Sequence, residues 1–322
     1  MRTLVTGATG FVGSHLAEAL HRRGDEVTVL ARSASKAAAL APLGVHVVAG
    51  DLHDRAALQR AVDGQDVVYH VAGVVAARSE ADFMAANRDG TRNLVEAAER
   101  VGSKRFVMVS SMAAAGPAAK GRPLTGAEPP SPVTAYGRSK LAAEQAVTGA
   151  RLAWSILRPP MVYGPRDREV LKVFRLARLG VGPVMGDGTQ ELTAVHAADL
   201  AEALVAAGTR VAAVGRTYYP CHPEIFTGAE MVRAVGRVMG KSPAVIRVPA
   251  PIGRGVLMVT EAAARLAGRT TILTADKANE FFQPAWTGDP APLTRDTGWR
   301  AMRDLRTGLE ETYQWYRTAG WL

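Results

Sequence analysis

A tyrosine and a lysine four residues apart, Tyr136 and Lys140, are the pair in this sequence best suited to proton transfer. On a helix, residues at positions i and i+4 share one face, so the phenol and the ammonium would be neighbours. A tyrosine pKa of about 10 is too high for proton exchange at neutral pH, and a nearby cation lowers it. A third group would hydrogen-bond the reacting oxygen, and Ser110-Ser111 stand just after the apolar run Arg105–Val109. Together these residues predict acid–base chemistry at a carbonyl or an alcohol.

A glycine-rich turn near the start of the chain predicts a dinucleotide site. The apolar run Thr3–Thr6 reads as a buried strand, and an amphipathic helix pattern follows the turn. Glycines at such a turn let the backbone approach a pyrophosphate, whose charge is stabilised by the helix N-terminus. From this turn we predict cofactor contacts by Gly7, Thr9, Gly10, Phe11, Val12 and Gly13.

The residues after the second predicted strand indicate which dinucleotide binds. NAD sites place an acid there to accept the ribose hydroxyls, whereas the first acid after Val27–Leu30 is Asp51. Arg32 could form paired hydrogen bonds to a 2′-phosphate, and Lys36 adds a second cation. The sequence therefore favours NADP, with NAD as the alternative if both cations are solvated loop charges.

Strand-like runs alternate with helical patterns in the first half of the chain. The predicted helices are Arg55–Val62, Glu80–Val101 and Ala135–Val147. This alternation predicts an α/β fold of the Rossmann type, a doubly wound parallel sheet with functional groups at the strand carboxyl ends. We predict a dinucleotide-binding domain over 1–165 with a return at 194–215, and a smaller, interrupted C-terminal substrate-binding region over 166–193 and 216–322.

Composition and charge restrict the classes of function. The chain of 322 residues has 48% hydrophobic and 21% charged residues, which is ordinary for a globular protein. Its formal charge of +9 is scattered, without the basic runs typical of nucleic-acid binding, so we expect no nucleic-acid partner. We also expect no membrane span, no secretory signal and no metal. The single cysteine, Cys221, suggests a reducing, cytoplasmic location.

Several motifs together resemble the extended short-chain dehydrogenase/reductase family, also called the NAD-dependent epimerase/dehydratase family. The chain is most similar to its 3β-hydroxysteroid dehydrogenase and dihydroflavonol reductase branch. The motifs are Gly7–Gly13, Gly50-Asp51-Leu52, His70-Val71-Ala72-Gly73, Asn87 with Gly90-Thr91, Ser110-Ser111, Tyr136–Lys140, Arg158–Pro165, Gly186-Asp187-Gly188 and Val195–Leu200.

The resemblance implies roles for residues that spacing alone does not assign. It implies that Asp51 and Leu52 contact adenine, that Val71 and Ala72 line the pyrophosphate and ribose, that Asn87 supports the cofactor, and that Pro160 lies beside the nicotinamide. It also implies that Lys140 binds the nicotinamide ribose and that Ser111, rather than Ser110, is the catalytic serine. A homodimer through the helices 80–101 and 135–147 is what the family suggests.

Departures from the family pattern narrow the substrate. Sugar dehydratases carry an Asp-Glu pair where this chain has Met112 and Ala113, and UDP-hexose epimerases carry aromatic residues and an Asn where it has Pro159-Pro160-Met161. Met112, Met161 and Val74-Val75 would make an apolar pocket, although each methionine could equally pack in the core. Arg166 could reach the substrate or form a solvated loop pair.

These observations rank three functions. The leading prediction is an NAD(P)-dependent oxidoreductase that interconverts a secondary alcohol and a ketone or aldehyde on a small, largely apolar substrate. The alternatives are a nucleotide-sugar epimerase with tightly bound NAD and a non-catalytic NAD(P)-binding redox sensor. A further apolar stretch, Gly255–Leu266, could be a pocket lid or a membrane contact, with core packing favoured because it is short.

Overall fold

A seven-stranded parallel sheet organises the first two thirds of the chain. The computed structural model describes the backbone of residues 1–322 and all side chains except that of Ala34. From edge to edge the strands are β11 (Arg216–Tyr218), β6 (Trp154–Leu157), β5 (Arg105–Val109), β4 (Val67–His70), β1 (Arg2–Thr6), β2 (Glu26–Ala31) and β3 (His46–Ala49). Every neighbouring pair is parallel. The strand order reverses at β1, the position where α/β sheets bind ligands.

Helices cover both faces of this sheet, which confirms the predicted doubly wound fold. Consecutive residues of a strand face opposite sides, so Val5 packs beneath one helix layer and Leu4 beneath the other. The first layer contains α1 (Phe11–Arg22) and α9 (Ala197–Thr209), and the second contains α3 (Arg55–Val62), α5 (Gly90–Val101) and α7 (Ala135–Thr148). The central strands β1, β4 and β5 are mostly apolar because both of their faces are buried.

The predicted helices agree closely with those observed. The helix 55–62 is confirmed as α3, and the helix 135–147 as α7, which is one residue longer. The predicted helix 80–101 is helical throughout but consists of α4 (Glu80–Phe83), a π-helical turn at Met84–Asp89, and α5. The π turn contains Asn87, so the irregularity lies at a predicted site residue.

The remainder of the chain forms small sheets and helices beside the carboxyl edge of the main sheet. The further strands are β7 (Met161–Tyr163), β8 (Val181–Met185), β9 (Glu191–Leu192), β10 (Ala194–His196), β12 (Phe226–Thr227), β13 (Ala244–Val248) and β14 (Ala285–Trp286). The further helices are α2 (Ala34–Ala37), α6 (Met112–Ala115), α8 (Glu169–Arg178), α10 (Gly228–Val238), α11 (Ala250–Leu266), α12 (Ala278–Phe281), α13 (Ala291–Thr297) and α14 (Leu305–Thr318). Two 3₁₀ turns lie at Ala38–Leu43 and Val211–Ala213.

The segment predicted to return to the sheet does so through a helix. Within 194–215, β10 pairs with β7 outside the main sheet, while α9 packs on the main sheet beside α1. The strand that joins the sheet is β11, at Arg216–Tyr218, directly after the predicted return. A separate aromatic core around Phe174 and Tyr316 holds α8, α10 and α14 together. The division into a dinucleotide domain and a substrate region stays a prediction.

Helix α11 differs from the core packing favoured for Gly255–Leu266. Gly253 and Leu257 are its only buried residues, and Val259 and Leu266 are 70% and 91% exposed. That interpretation is therefore wrong for this helix, because an apolar pattern does not show whether a neighbouring element covers it. Among the helices that the structure describes, none has both the length and the apolar character needed to cross a bilayer.

Candidate active site

The glycine turn between β1 and α1 is shaped for close backbone approach. Gly7 has φ of +76°, and a Cβ there would lie 2.7 Å from the backbone nitrogen of Ala72. A Cβ on Gly13 would lie only 2.1 Å from the Gly7 carbonyl oxygen. Both positions therefore require glycine. Thr9 and Gly10 are exposed at the tip, so the helix N-terminus is open to an anion.

Gly13→Ala is expected to abolish dinucleotide binding and to destabilise the fold by about 1–3 kcal/mol, because the added methyl group must push the turn away from α1. The measurement is the shift in melting temperature on adding NADP. Gly255→Ala is the control, since nothing lies within 4 Å of the added Cβ. A Gly13→Ala variant with the wild-type shift would contradict the role given to this turn.

The remaining residues of the turn line its open side. Phe11 and Val12 are half-buried in the first turn of α1. The Phe11 ring packs edge-on against His15, at 5.7 Å between centroids. Gly10 caps α1, and its N–H donates to the Gly7 carbonyl oxygen at 2.9 Å. The predicted pyrophosphate contacts are therefore all brought together at one helix end.

The predicted adenine-side residues lie at the carboxyl ends of β2 and β3. Arg32 follows β2 directly, and Lys36 lies in α2; both side chains are exposed. Asp51 is also exposed, and its carboxylate accepts hydrogen bonds from the backbone N–H groups of His53 and Asp54 at 2.8 and 3.1 Å. Leu52 is half-buried, and its side chain contacts the position of Gly90.

Asn87 holds the loop after β4 against α7. Its Oδ1 accepts from the Val74 N–H at 2.8 Å, and its Nδ2 donates to the Val74 carbonyl and to the Ser139 hydroxyl. The amide is buried, so these bonds fix its orientation. Val71 and Ala72 lie in the same loop, half-buried beside Gly7. The structure thus brings the β4 loop, the π turn and α7 into one cluster.

The three predicted catalytic residues meet at the start of α7. Thr134 caps this helix by accepting from the Gly137 N–H at 3.1 Å. A Cβ on Gly137 would lie 2.4 Å from the Ala113 carbonyl oxygen, so α7 lies directly against α6. Ser111 caps α6 at this contact, where its Oγ accepts from the Ala113 N–H at 3.1 Å, and its side chain acts to lower the pKa of the Tyr136 phenol. Pro160 lies half-buried between β6 and β7, in the segment that also contacts α6.

The pKa of Tyr136 differs from the lowered value that a neighbouring lysine was expected to give. Burial raises the pKa of Tyr136 to about 12, the charge of Glu280 adds to the rise, and the Ser111 hydrogen bond opposes it. Burial lowers the pKa of Lys140 to about 8. Its Nζ donates to the Val109 carbonyl oxygen at 2.8 Å, at the carboxyl end of β5. The phenol therefore does not have the lowered pKa expected beside a lysine, because burial raises it.

Residues 3–219 match the family model described as the NAD dependent epimerase/dehydratase family. The chain belongs to this family. A ceramide reductase from Caulobacter vibrioides is 36% identical over 99% of this chain and 95% of that protein. A ketoreductase from Stigmatella aurantiaca, named for a 4-farnesyl-3-oxo-dihydroquinoline oxide, is 33% identical over 65% of each chain. The UDP-glucose 4-epimerase of Thermus thermophilus, solved with NAD, is 26% identical, with a TM-score of 0.80 over 99% of this chain and all of that one.

These relatives show that the protein is an oxidoreductase enzyme of the epimerase/dehydratase family. They confirm the predicted family and the Rossmann-type fold. The roles of individual residues, the choice between NAD and NADP, and the substrate stay predictions.

A buried ion pair supports the catalytic serine segment, and sequence reasoning missed it. Arg158 donates to both carboxylate oxygens of Glu144, at 2.9 and 2.6 Å, and to the Tyr219 hydroxyl at 3.1 Å. Ser110 donates to the same carboxylate. Glu144 lies on α7 one turn after Lys140, and this i, i+4 spacing was the one available signal.

A second missed group comes from the C-terminal part of the chain. Glu280 of α12 accepts from the Thr134 hydroxyl at 2.6 Å, and Asp276 accepts from the Ala135 N–H at 2.8 Å. Lys277 pairs with Glu280, and its Nζ lies 5.6 Å from the centroid of the Tyr136 ring. These residues lie about 140 positions from α7 in sequence, and they pack against the start of α7 beside Tyr136.

The predicted substrate residues do not form one group. Val74 is half-buried in the β4 loop near Asn87. Met112 is 2% exposed and packs in the cluster that contains Tyr219, whereas Met161 packs against the aromatic core around Phe174. Arg166 turns towards α1, where it pairs with Glu18 at 2.9 Å. Met112 thus lies in the core, whereas Met161 is only partly buried against the aromatic core.

A small cavity does lie beside Tyr136. Its lining combines the apolar side chains of Val75, Phe83 and Ile272 with Tyr136 and the polar chain of 274–277. The Phe83 and Tyr136 rings pack 5.9 Å apart between centroids. Apolar surface therefore does lie next to the phenol. Val75 was among the residues predicted to supply it, whereas Phe83 and Ile272 were not.

Proposed function

We propose that this enzyme reduces a ketone on an apolar, lipid-like substrate, with NADP as its preferred cofactor and Ser111, Tyr136 and Lys140 as its catalytic residues. The observation that supports the proposal is the close contact between α6, which Ser111 caps, and α7, which carries Tyr136 and, one helical turn later, Lys140. This arrangement supplies a proton donor and a second hydrogen-bond donor to one oxygen atom.

The glycine turn fits a dinucleotide because side chains at Gly7 and Gly13 would fill the space that its backbone leaves. Gly7, Thr9, Gly10, Phe11, Val12 and Gly13 would hold the pyrophosphate. Leu52 and Asp51 would contact the adenine, Val71, Ala72 and Asn87 the middle of the molecule, and Pro160 and Lys140 the nicotinamide end. When bound, the nicotinamide supplies the hydride.

The protein residues then control the proton. Ser111 orients the carbonyl oxygen, and Tyr136 donates a proton to that oxygen as it gains negative charge. A phenol with a raised pKa is fully protonated at neutral pH, which suits the reducing direction. Lys140, held by the Val109 carbonyl, positions the ribose and supplies positive charge behind the phenol.

Arg32→Glu is expected to lower NADP affinity by at least about tenfold and to leave NAD affinity within about threefold, because the guanidinium would pair with the 2′-phosphate that NAD lacks. Titration of both dinucleotides measures the change. The control is Arg60→Glu, because Arg60 is also an exposed arginine but lies on α3. Equal losses for the two dinucleotides, or no loss, would contradict the NADP preference.

Two considerations support an apolar ketone as the substrate. The cavity beside Tyr136 is lined by Val75, Phe83 and Ile272. The relatives named for ceramide and for a farnesylated oxo compound are reductases of lipid-like molecules. The test is consumption of reduced NADP with ketones that carry long alkyl or farnesyl chains, beside UDP-glucose. Consumption with the apolar ketones alone is expected.

The second candidate is a nucleotide-sugar epimerase, favoured by the similarity to the UDP-glucose 4-epimerase of Thermus thermophilus. Such an enzyme would keep NAD through purification and convert UDP-glucose without added cofactor. Pro159, Pro160 and Met161 replace the sugar-binding residues of that group, which ranks this candidate second. Conversion of UDP-glucose with copurified NAD would reverse the ranking.

A further inference from the structure

Helix α11 presents a wide apolar face to solvent. At about 100° per residue, one arc of about 160° contains Ile252, Gly255, Val256, Met258, Val259, Ala262, Ala263 and Leu266. All eight residues are exposed. The opposite side, with Gly253 and Leu257, packs towards Phe282. A surface helix normally shows polar side chains to water, so this arc, which we call the α11 face, has the character of a contact surface.

Positive charge lies along one flank of the α11 face and beyond the end of the helix. Between Lys241 and Lys277 the chain has six Lys or Arg residues and two acids. Arg254 and Arg265 lie along one flank of the face, and Arg269 is exposed just beyond the end of the helix. An apolar stripe bordered by arginines is the pattern of a helix that lies in the interface of an anionic membrane.

The α11 face is connected to the catalytic site through short contacts. Glu261 of α11 accepts from the Ala275 N–H at 2.8 Å, and Arg78 of the β4 loop donates to the Gly268 carbonyl at 3.0 Å. The segment 271–277, which follows α11, lines the cavity beside Tyr136. The helix is therefore joined directly to the segment that lines the cavity.

We propose that the α11 face docks on the surface of an anionic phospholipid bilayer, with the helix axis in the plane of the interface. Ile252, Val259 and Leu266 insert among the acyl chains, and the flanking arginines contact the headgroup phosphates. Docking rests on this face alone. Only the corollary, that the docked enzyme takes its ketone from the bilayer, rests on the proposed function.

A second copy of the chain fits the face less well than a membrane does. A two-fold contact would bring the arginines at the flank and end of one helix close to those of its partner, and like charges at such a contact are destabilising. Anionic headgroups instead neutralise these charges. The charge pattern therefore favours lipid.

The test is flotation of the full-length protein with vesicles, without cofactor or substrate. Wild type is expected to float with an equal mixture of phosphatidylglycerol and phosphatidylcholine, and much less with phosphatidylcholine alone. Val259→Asp and Leu266→Asp should each lower the partition coefficient by at least about tenfold. Arg254→Gln combined with Arg269→Gln should lower it by at least about fivefold on the anionic vesicles only.

Val211→Asp is the matched control, because Val211 is 85% exposed but lies in the 3₁₀ turn after α9. It should float as wild type does, and unchanged melting temperatures should show that all variants fold. Absence of wild-type flotation, or wild-type flotation by Val259→Asp, would overturn the proposal. So would a change from dimer to monomer on Val259→Asp without any lipid binding. Loss of ketone reduction with flotation intact would remove the proposed function and leave docking in place.

Discussion

Tyr136→Phe is expected to lower kcat by about a thousandfold, while NADP still raises the melting temperature as it does for wild type. The substitution removes one oxygen atom, so the packing of the ring against Phe83 and Lys277 is kept. What is lost is the proton that the phenol donates to the substrate oxygen, and general acid catalysis contributes about 10²–10⁴-fold. The measurement is steady-state reduction of the ketone that wild type accepts.

Tyr313→Phe provides the matched control for this loss. Tyr313 lies on α14 and stacks on Phe174 at 5.8 Å, in the aromatic core away from the cavity beside Tyr136. Its variant should keep wild-type kcat. If Tyr136→Phe also kept wild-type activity, another group would have to donate the proton, and the catalytic assignment would be wrong.

Glu144→Ala is expected to lower the free energy of unfolding by about 3–5 kcal/mol, because it leaves the Arg158 guanidinium buried without its carboxylate. Arg158 and Glu144 are each less than a tenth exposed, and Ser110 would lose its acceptor as well. The same change should lower kcat, since Ser110 and Ser111 are consecutive at the carboxyl end of β5. Urea unfolding measures the first effect, and the ketone reduction assay measures the second.

Two comparisons isolate the cost of the unpaired charge. Glu169→Ala removes the exposed partner of Lys172, at 2.7 Å, and should cost less than about 1 kcal/mol. Replacing Glu144 and Arg158 together by leucine should recover part of the loss, because no unpaired charge remains. A Glu144→Ala cost no larger than that of Glu169→Ala would show that the buried pair is not what holds this region.

The sequence predicted the parts of the fold that depend on local patterns. The glycine turn, the boundaries of α3 and α7 and the alternation of strands and helices all follow from spacing within about 20 residues. The i, i+4 spacing of Tyr136 and Lys140 likewise placed them one turn apart on α7. The position of polar groups at the carboxyl ends of parallel strands indicated the pair Ser110-Ser111, and only the family resemblance favoured Ser111.

Features that depend on distant chain segments were not accessible in this way. The contact of Glu280 with Thr134 joins residues 146 positions apart, and no local pattern marks either of them. The apolar residues of α11 have the spacing of a buried helix, yet nothing in their order shows which face another element covers. The pKa of Tyr136 is raised by burial rather than lowered as expected, and this burial also depends on segments distant in sequence.

The packing of Asp276, Lys277 and Glu280 against the start of α7 beside Tyr136 has a consequence for how the enzyme matures. A ribosome adds these residues long after it has completed the glycine turn, α7 and β11. The nascent chain therefore contains Tyr136 well before the residues that finally surround this side chain have been synthesised. Reductase activity should arise late in synthesis, and a chain cut before Asp276 should be inactive.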